Sequence, residues 1–195
     1  MYEYLAIPIA YFIGSIPFAI VVSKLFGLKD PRQYGSGNPG ATNVLRSGNK
    51  VAAALTFIGD AAKGAIAILL TLEIFPHISA TIIALVAVAA FLGHLFSPFL
   101  NFKGGKGVAT SFGIFLALDL NFALILLGIW ILVVVLFRVS ALAAIITALA
   151  APFIYLFIHM SSYIVWPIFA AILVMATLLL YKHKSNIDKL INKKN

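Results

Sequence analysis

The chain alternates long apolar runs with short polar segments. Runs of about 20 apolar residues are long enough to cross the hydrocarbon core of a membrane as helices. The runs cover residues 4–26, 51–75, 78–95, 108–118, 122–137, 139–158 and 164–181. This pattern predicts an all-α fold: a polytopic membrane helix bundle with seven transmembrane helices, in a single membrane-embedded domain over residues 1–195.

The fourth run is short for a crossing. Eleven residues at about 1.5 Å each cover roughly 16 Å of a hydrocarbon core near 30 Å thick. The basic residues favour a crossing nevertheless. If it returned instead, Arg138 and the tail lysines would lie outside, against the positive-inside rule. We therefore expect the N-terminus outside and the C-terminus in the cytoplasm. The basic residues on the cytoplasmic side are then Lys24, Lys29, Arg32, Arg46, Lys50, Lys103, Lys106, Arg138 and the five tail lysines.

Composition narrows the class of protein. Hydrophobic residues make up 63% of the chain and charged residues only 10%, which excludes an ordinary soluble domain. The chain contains no cysteine, and its four histidines are far apart, so we expect no metal site. We assign the net charge of +8 to membrane orientation and expect no nucleic-acid partner. Glu3 precedes the first run and Lys24 lies near its end, the reverse of the charge order in a signal peptide, so that run should remain as a helix.

Residues 35–46, Gly-Ser-Gly-Asn-Pro-Gly-Ala-Thr-Asn-Val-Leu-Arg, form the first of two glycine segments. The glycines and the proline favour a tight loop, and Thr42 or Asn43 can cap a helix that begins just beyond. Backbone N–H groups in such a loop bind oxyanions. The alternative is a capped turn in which Arg46 only sets orientation. Side chains able to add hydrogen bonds to an anion are Ser36, Asn38, Asn43 and Arg46.

The second glycine segment is Lys103-Gly104-Gly105-Lys106-Gly107, with its lead-in from Gly93-His94. It is not a nucleotide P-loop, because Gly107 stands where that motif needs Ser or Thr. A glycine cradle with a lysine charge still suits a phosphate group. The alternative is a flexible loop with two orienting lysines. We interpret His94 as a helix-end hydrogen-bonding residue outside the core site.

Two other polar features have simpler explanations. Asp60 and Lys63 lie three residues apart on the second helix and should pair, which lowers the cost of placing them in a membrane. The tail around residues 182–189 is typical of a basic helix end attracted to anionic lipid. His183 and Asp188 match the His-x-x-x-x-Asp spacing of one enzyme superfamily, but two residues make a weak signal.

Residues 35–43, 93–110 and 183–186 together resemble the bacterial PlsY family, the acyl-phosphate-dependent glycerol-3-phosphate acyltransferases. The resemblance runs through nearly the whole chain. It implies a seven-helix enzyme of the cell inner membrane with its active site facing the cytoplasm. Such an enzyme moves a fatty acyl group from acyl phosphate to glycerol 3-phosphate, giving lysophosphatidic acid and phosphate, an early step of phospholipid biosynthesis. It implies no metal and no other cofactor.

The resemblance also assigns residues. It gives catalytic roles to Ser36, Lys106 and His183. Asp188 is not part of the family pattern, which counts against the His-x-x-x-x-Asp interpretation. The expected partners are the two substrates and membrane lipid, with no obligate protein partner. The residues expected to bind substrate are Ser36, Asn38, Asn43, Arg46, Lys103, Gly104, Gly105, Lys106, Arg138, Ser140, His183 and Asn186.

The chemistry of the two substrates agrees with this pattern. Both carry phosphate, which suits two glycine segments and several cations. No Asp or Glu lies in either segment and cysteine is absent, so we expect direct transfer without an acyl-enzyme. The proton acceptor is either His183 or the substrate phosphate; we favour the phosphate, with His183 binding glycerol 3-phosphate.

The main alternative is a membrane transporter for phosphate or phosphate esters. Transport sites usually lie near the membrane midplane between related halves. Here the polar segments gather towards one face and no inverted repeat is visible, so an enzyme is favoured.

Overall fold

The computed structural model describes residues 2–160 and 165–192, and every regular element in these ranges is helical. Five helical stretches are long and apolar enough to cross a membrane, or six if α9 and α10, which meet at 56°, are counted as one bent span. The α-helices are α1 (Ala6–Ser15), α2 (Phe18–Leu25), α3 (Ala41–Val44), α4 (Lys50–Ile74), α5 (Ala80–Leu95), α6 (Val108–Leu118), α7 (Leu120–Phe137), α8 (Ser140–Ile158), α9 (Trp166–Lys182) and α10 (Lys184–Asn192).

The apolar runs predicted most helix bounds closely. The sequence placed the fourth helix at residues 108–118, and α6 spans Val108–Leu118. At eleven residues it is shorter than each of the five helical stretches that are long enough to cross a membrane. The last predicted helix begins at Ile164, which lies outside the described residues, and α9 is described from Trp166.

The first predicted helix is divided. A short 3₁₀ turn at Tyr2–Leu5 leads into α1, and the chain breaks at Ile16–Pro17 before α2 begins. Proline lacks a backbone N–H and ends the regular hydrogen-bond ladder, which leaves carbonyl groups without helix partners. Lys63 on α4 satisfies one of them, because its Nζ donates to the carbonyl oxygen of Ile16 at 2.7 Å.

Glycines allow the close helix contacts at the centre of the bundle. A side chain at Gly14 of α1 would overlap the backbone at Ala90 of α5, and one at Gly113 of α6 would overlap the backbone at Ala61 of α4. Small residues at helix contacts are the usual means of packing inside a membrane. The pairs α1–α5 and α4–α6 therefore form a rigid frame that carries the two glycine segments.

Candidate active site

A polar cavity with a volume of about 520 Å³ opens at the end of the bundle where the two glycine segments, the α7–α8 turn and the α9–α10 turn meet. Nine of the twelve residues that the sequence predicted to bind substrate line it. The nine are Ser36, Asn38, Asn43, Arg46, Lys106, Arg138, Ser140, His183 and Asn186.

The Ser36 loop is held in place by the side chain of Asn43. Gly35 and Gly37 have φ angles of +61° and +68°, a region that favours glycine. Between them, the backbone N–H of Ser36 donates to Oδ1 of Asn43 at 2.9 Å. Nδ2 of Asn43 donates to the carbonyl oxygens of Pro31 and Tyr34 at 2.6 and 3.1 Å.

Capping at this segment differs from the prediction. The short α3 begins at Ala41, follows Gly40 and has no side-chain cap, so neither Thr42 nor Asn43 caps it. Asn43 lies inside α3 and turns its amide back to the loop, where it is 2% exposed. It therefore positions Ser36 through the backbone.

The second glycine segment is built differently from the predicted cradle. The N–H groups of Gly104 and Gly105 donate to the carbonyl oxygens of Leu95 and His94, each at 3.1 Å. A side chain at Gly105 would overlap the imidazole of His94. Both N–H groups are thus engaged within the chain, and neither glycine lines the cavity. In this arrangement the two glycines pack closely against the end of α5.

The two lysines of this segment are placed differently. Lys103 is exposed and does not line the cavity, whereas Lys106 is half-buried within its wall. Nζ of Lys106 donates to Oδ1 of Asn186 on α10, which joins the segment to the last helix. Burial, together with the positive charges of Lys189, Lys182 and Arg46, lowers the pKa of Lys106.

The cations around the cavity are not neutralised by carboxylates. Within residues 2–160 and 165–192, no ion pair to a carboxylate involves Lys106, Arg46 or Arg138. A cavity with an excess of one charge concentrates ligands of the opposite charge. The cavity therefore suits an anion, and its asparagines, serines and arginines can supply hydrogen bonds to phosphate oxygens.

His183 follows α9 directly and is 3% exposed. Its Nδ1 lies 2.8 Å from the carbonyl oxygen of Leu179. A carbonyl only accepts hydrogen bonds, so Nδ1 carries the proton, and Nε2 of the neutral ring is an acceptor. Lys182 fixes the same turn, because its Nζ donates to the carbonyl oxygen of Leu95 at 3.2 Å. The turn can thus hold a hydrogen-bond acceptor beside the cations.

A buried polar cluster lies behind the cavity. Asp60 and Lys63 pair at 2.7 Å, as the sequence predicted. His94 Nδ1 lies 3.5 Å from Oδ1 of Asp60 and 3.0 Å from Oγ1 of Thr110. Both Asp60 and His94 line the cavity, although the sequence interpretation left them outside the site. The available signal was Asp60 itself, because ionisable residues within membrane spans are commonly functional.

An apolar pocket continues from the polar cavity into the bundle. It runs between α6, α7, α8 and α9. Four residues line both spaces, namely Phe57, Val108, Trp130 and Ala144. The two adjoining spaces therefore have the polarities that suit an anionic head and a hydrocarbon chain. The described residues contain no group of His, Cys, Asp or Glu side chains that could hold a metal ion.

Comparison with known proteins identifies relatives of this chain. Residues 4–193 match the family model described as glycerol-3-phosphate acyltransferase. The glycerol-3-phosphate acyltransferase of Bordetella petrii is 55% identical over 95% of this chain and 88% of its own length. The Neisseria meningitidis serogroup C protein of the same name is 50% identical over 98% of this chain and 94% of its own.

Two solved structures share the fold. A crystal structure of PlsY, an integral membrane glycerol 3-phosphate acyltransferase, in its glycerol 3-phosphate form, is 34% identical with a TM-score of 0.89. The lysophosphatidic acid form is 33% identical with a TM-score of 0.87. In each case the similarity covers all of this chain and 94% of the other. The chain belongs to the glycerol-3-phosphate acyltransferase family.

Proposed function

We propose that this protein transfers a fatty acyl group from acyl phosphate to glycerol 3-phosphate, giving lysophosphatidic acid and phosphate, an early step of phospholipid biosynthesis. The observation that carries the proposal is the continuity of the cation-lined cavity with the apolar pocket. Lysophosphatidic acid has two matching parts, because its phosphate is anionic and its acyl chain is apolar. The names of the relatives and the glycerol 3-phosphate form of the solved structure support the same acceptor.

The residues that line the cavity have different roles, which follow from the chemistry of their side chains. Arg46, Lys106 and Arg138 neutralise phosphate groups, and the hydroxyl of Ser36 donates a hydrogen bond to one of them. Asn186 and Asn38 add neutral hydrogen bonds, and Ser140 binds at the start of α8. The acyl chain enters the apolar pocket, where it displaces no hydrogen-bonded group. Holding both substrates in one cavity places the glycerol hydroxyl near the acyl carbon.

Transfer is direct in this proposal. The glycerol hydroxyl oxygen bonds to the acyl carbon, and the bond from that carbon to the phosphate oxygen breaks. The phosphate leaves with the electron pair and takes the hydroxyl proton. His183 accepts a hydrogen bond from glycerol 3-phosphate through Nε2, so it binds and orients the acceptor. Ser36 and Lys106 act in the chemistry by stabilising phosphate charge and form no covalent bond to the acyl group.

The proposal also includes the membrane topology of the chain. The helices from α1–α2 to α9 cross the cell inner membrane seven times as one domain, with α6 included as a short crossing. The N-terminus then lies outside, and the site and α10 face the cytoplasm. The basic residues around the site support this orientation through the positive-inside rule.

One assay tests the activity. Purified protein receives acyl phosphate or acyl-CoA together with glycerol 3-phosphate, and phosphate release and lysophosphatidic acid are measured. We expect product when acyl phosphate is the donor and no product when acyl-CoA is the donor. Product with acyl-CoA alone refutes the donor, and glycerol 3-phosphate flux into proteoliposomes without either product favours a transporter. An acyl group recovered on Ser36 by mass spectrometry refutes direct transfer.

A second experiment tests the topology, and the absence of native cysteine makes it simple. His77→Cys lies between α4 and α5, and Ser185→Cys lies on α10; both positions are exposed. In right-side-out vesicles, a membrane-impermeant maleimide should label the first variant and spare the second. Labelling of both variants would mean that α6 does not cross.

A further inference from the structure

Two buried polar atoms beside the apolar pocket have no hydrogen-bond partner. They are Nε1 of Trp130 on α7 and Oγ1 of Thr147 on α8. Among the described residues, the side chains of Ser23 and Tyr34 also carry such atoms, but those residues line neither cavity. Trp130 and Thr147 both line the apolar pocket, and Trp130 also borders the polar cavity. The two unpartnered donors therefore lie where the head and chain compartments meet.

Thr147 differs from three other helical threonines of this chain. The hydroxyls of Thr56, Thr71 and Thr177 each donate to the carbonyl oxygen four residues earlier at 2.8 Å. Oγ1 of Thr147 makes no such bond. A buried polar group in a membrane bundle has no water as a substitute partner, so an unpaired one calls for a ligand.

We propose that Trp130 and Thr147 bind the carbonyl oxygen of the acyl group. This inference rests on the proposed function. In acyl phosphate the carbonyl lies between the phosphate and the hydrocarbon chain, so it must sit at the border of the two compartments. Ala144, which lines both spaces, is three residues before Thr147 on α8, or about 4.5 Å along the helix axis. Trp130 thus lies at the border itself, and Thr147 lies within about one helical turn of it.

The contact would strengthen during the reaction. When the glycerol hydroxyl oxygen bonds to the acyl carbon, negative charge moves onto the carbonyl oxygen. The charge returns when the bond to phosphate breaks and phosphate leaves with the electron pair and the hydroxyl proton. Donors already in place at that oxygen stabilise the transition state more than the ground state. The indole N–H and the threonine hydroxyl are both such donors.

Trp130→Phe tests this role, since it removes the N–H and keeps an aromatic ring in the packing. We expect kcat/KM for acyl phosphate to fall about 10-fold to 100-fold, below the loss seen for a full oxyanion-hole donor. The KM for glycerol 3-phosphate should stay within about twofold, because that ligand has no acyl carbonyl. Thr147→Val, of similar shape, should show a smaller loss of the same kind. Trp166→Phe is the matched control, since Trp166 is 60% exposed and lines neither space.

Two further readouts separate this role from a structural one. Because Nε1 is unpartnered without ligand, Trp130→Phe should not lower the unfolding temperature of the free protein, but should reduce the upward shift caused by lysophosphatidic acid. The chain has only two tryptophans, so Trp166→Phe leaves Trp130 as the sole source of tryptophan fluorescence. Its emission should change with lysophosphatidic acid and not with glycerol 3-phosphate.

A kcat/KM within twofold of wild type in both Trp130→Phe and Thr147→Val would overturn the proposal, as would a lower unfolding temperature in the free protein with an unchanged ligand shift. If wild-type protein transfers no acyl group from acyl phosphate, the proposed function fails. The emission and unfolding measurements with lysophosphatidic acid then still decide whether Trp130 meets the acyl carbonyl.

Discussion

Oδ1 of Asn43 accepts a hydrogen bond from the backbone N–H of Ser36 at 2.9 Å, and Nδ2 of the same side chain donates to Pro31 and Tyr34. One buried amide thus closes the first glycine segment from the inside. Ser36 lines the cavity, and the hydrogen bond to Asn43 fixes the backbone that carries it. This arrangement makes the amide nitrogen of Asn43 as important as its oxygen.

Asn43→Asp tests that relationship, because it keeps the shape and replaces the two N–H donors with an oxygen. The new carboxylate would face two carbonyl oxygens, and an unmade buried hydrogen bond costs about 1–3 kcal/mol. We expect the KM for glycerol 3-phosphate to rise at least about tenfold, with a lower unfolding temperature. Steady-state kinetics and thermal unfolding in detergent measure the two effects.

Asn49→Asp is the matched control. Asn49 caps α4 by accepting from the N–H of Ala52 at 2.9 Å, and aspartate caps a helix equally well. That variant should keep the KM and the stability of the wild type. If Asn43→Asp behaved like Asn49→Asp, the loop would not depend on the Asn43 donors.

The helices could be predicted because their signal is local. Apolar runs bounded by polar residues determined the bounds of α6 and the approximate bounds of the longer helices. The break at Ile16–Pro17 was not predicted, since the carbonyl oxygen of Ile16 accepts a hydrogen bond from Lys63 on another helix. A contact of this kind between distant parts of the chain leaves no local pattern.

The site shows a similar division. The polar side chains that gather at one end of the bundle were predicted from charge and motif, whereas the hydrogen bonds of the Gly104 and Gly105 N–H groups to the end of α5 were not. Glycine can bind an anion through free backbone N–H groups, and it can also let two backbone segments pack closely. A single sequence does not show for which of these two reasons a glycine is present. The contact of Asp60 with His94 is equally invisible, because it joins two helices.

Lys106 and Lys103 should respond differently to the same substitution. Lys106→Met removes a half-buried cation that bonds Asn186 and lines the cavity. We expect kcat/KM to fall about 100-fold or more, because this charge meets phosphate in a confined site. Lys103→Met changes an exposed residue outside the cavity, so activity should stay within about threefold. Equal losses in the two variants would contradict this assignment of the two lysines.

His183→Ala separates binding from proton transfer. If Nε2 only accepts a hydrogen bond from glycerol 3-phosphate, KM should rise more than kcat falls. If His183 is the general base, kcat at saturating substrate should drop by about 100-fold or more. Initial rates over a wide range of glycerol 3-phosphate distinguish the two results. We expect the first, since the departing phosphate is itself a proton acceptor.

The pH dependence of substrate binding should reflect Lys106. Burial, then the charges of Lys189, Lys182 and Arg46, lower the pKa of Lys106, so its charge is lost at lower pH than that of an ordinary lysine. Phosphate prefers the charged form, and the KM for glycerol 3-phosphate should therefore rise on the alkaline side. Lys189→Gln removes one repelling charge, raises the pKa of Lys106 and should move this rise to higher pH.

Lys184→Gln is the control for Lys189→Gln. Lys184 is exposed on the same helix and is not among the charges that shift Lys106. Its KM profile should coincide with that of the wild type. Identical profiles for the Lys189 and Lys184 variants would mean that another group governs the alkaline limb.

The buried pair of Asp60 and Lys63 should show strong energetic coupling. Lys63→Met leaves the Asp60 carboxylate without its 2.7 Å partner and removes the hydrogen bond from Lys63 to the carbonyl oxygen of Ile16. Removing one partner of a buried pair costs about 3–5 kcal/mol, whereas replacing both is much less costly. We expect Asp60→Leu combined with Lys63→Met to unfold at a higher temperature than Lys63→Met alone. Lys50→Met, at the exposed start of α4, should have little effect, and additive losses in the double variant would show that the pair is not coupled.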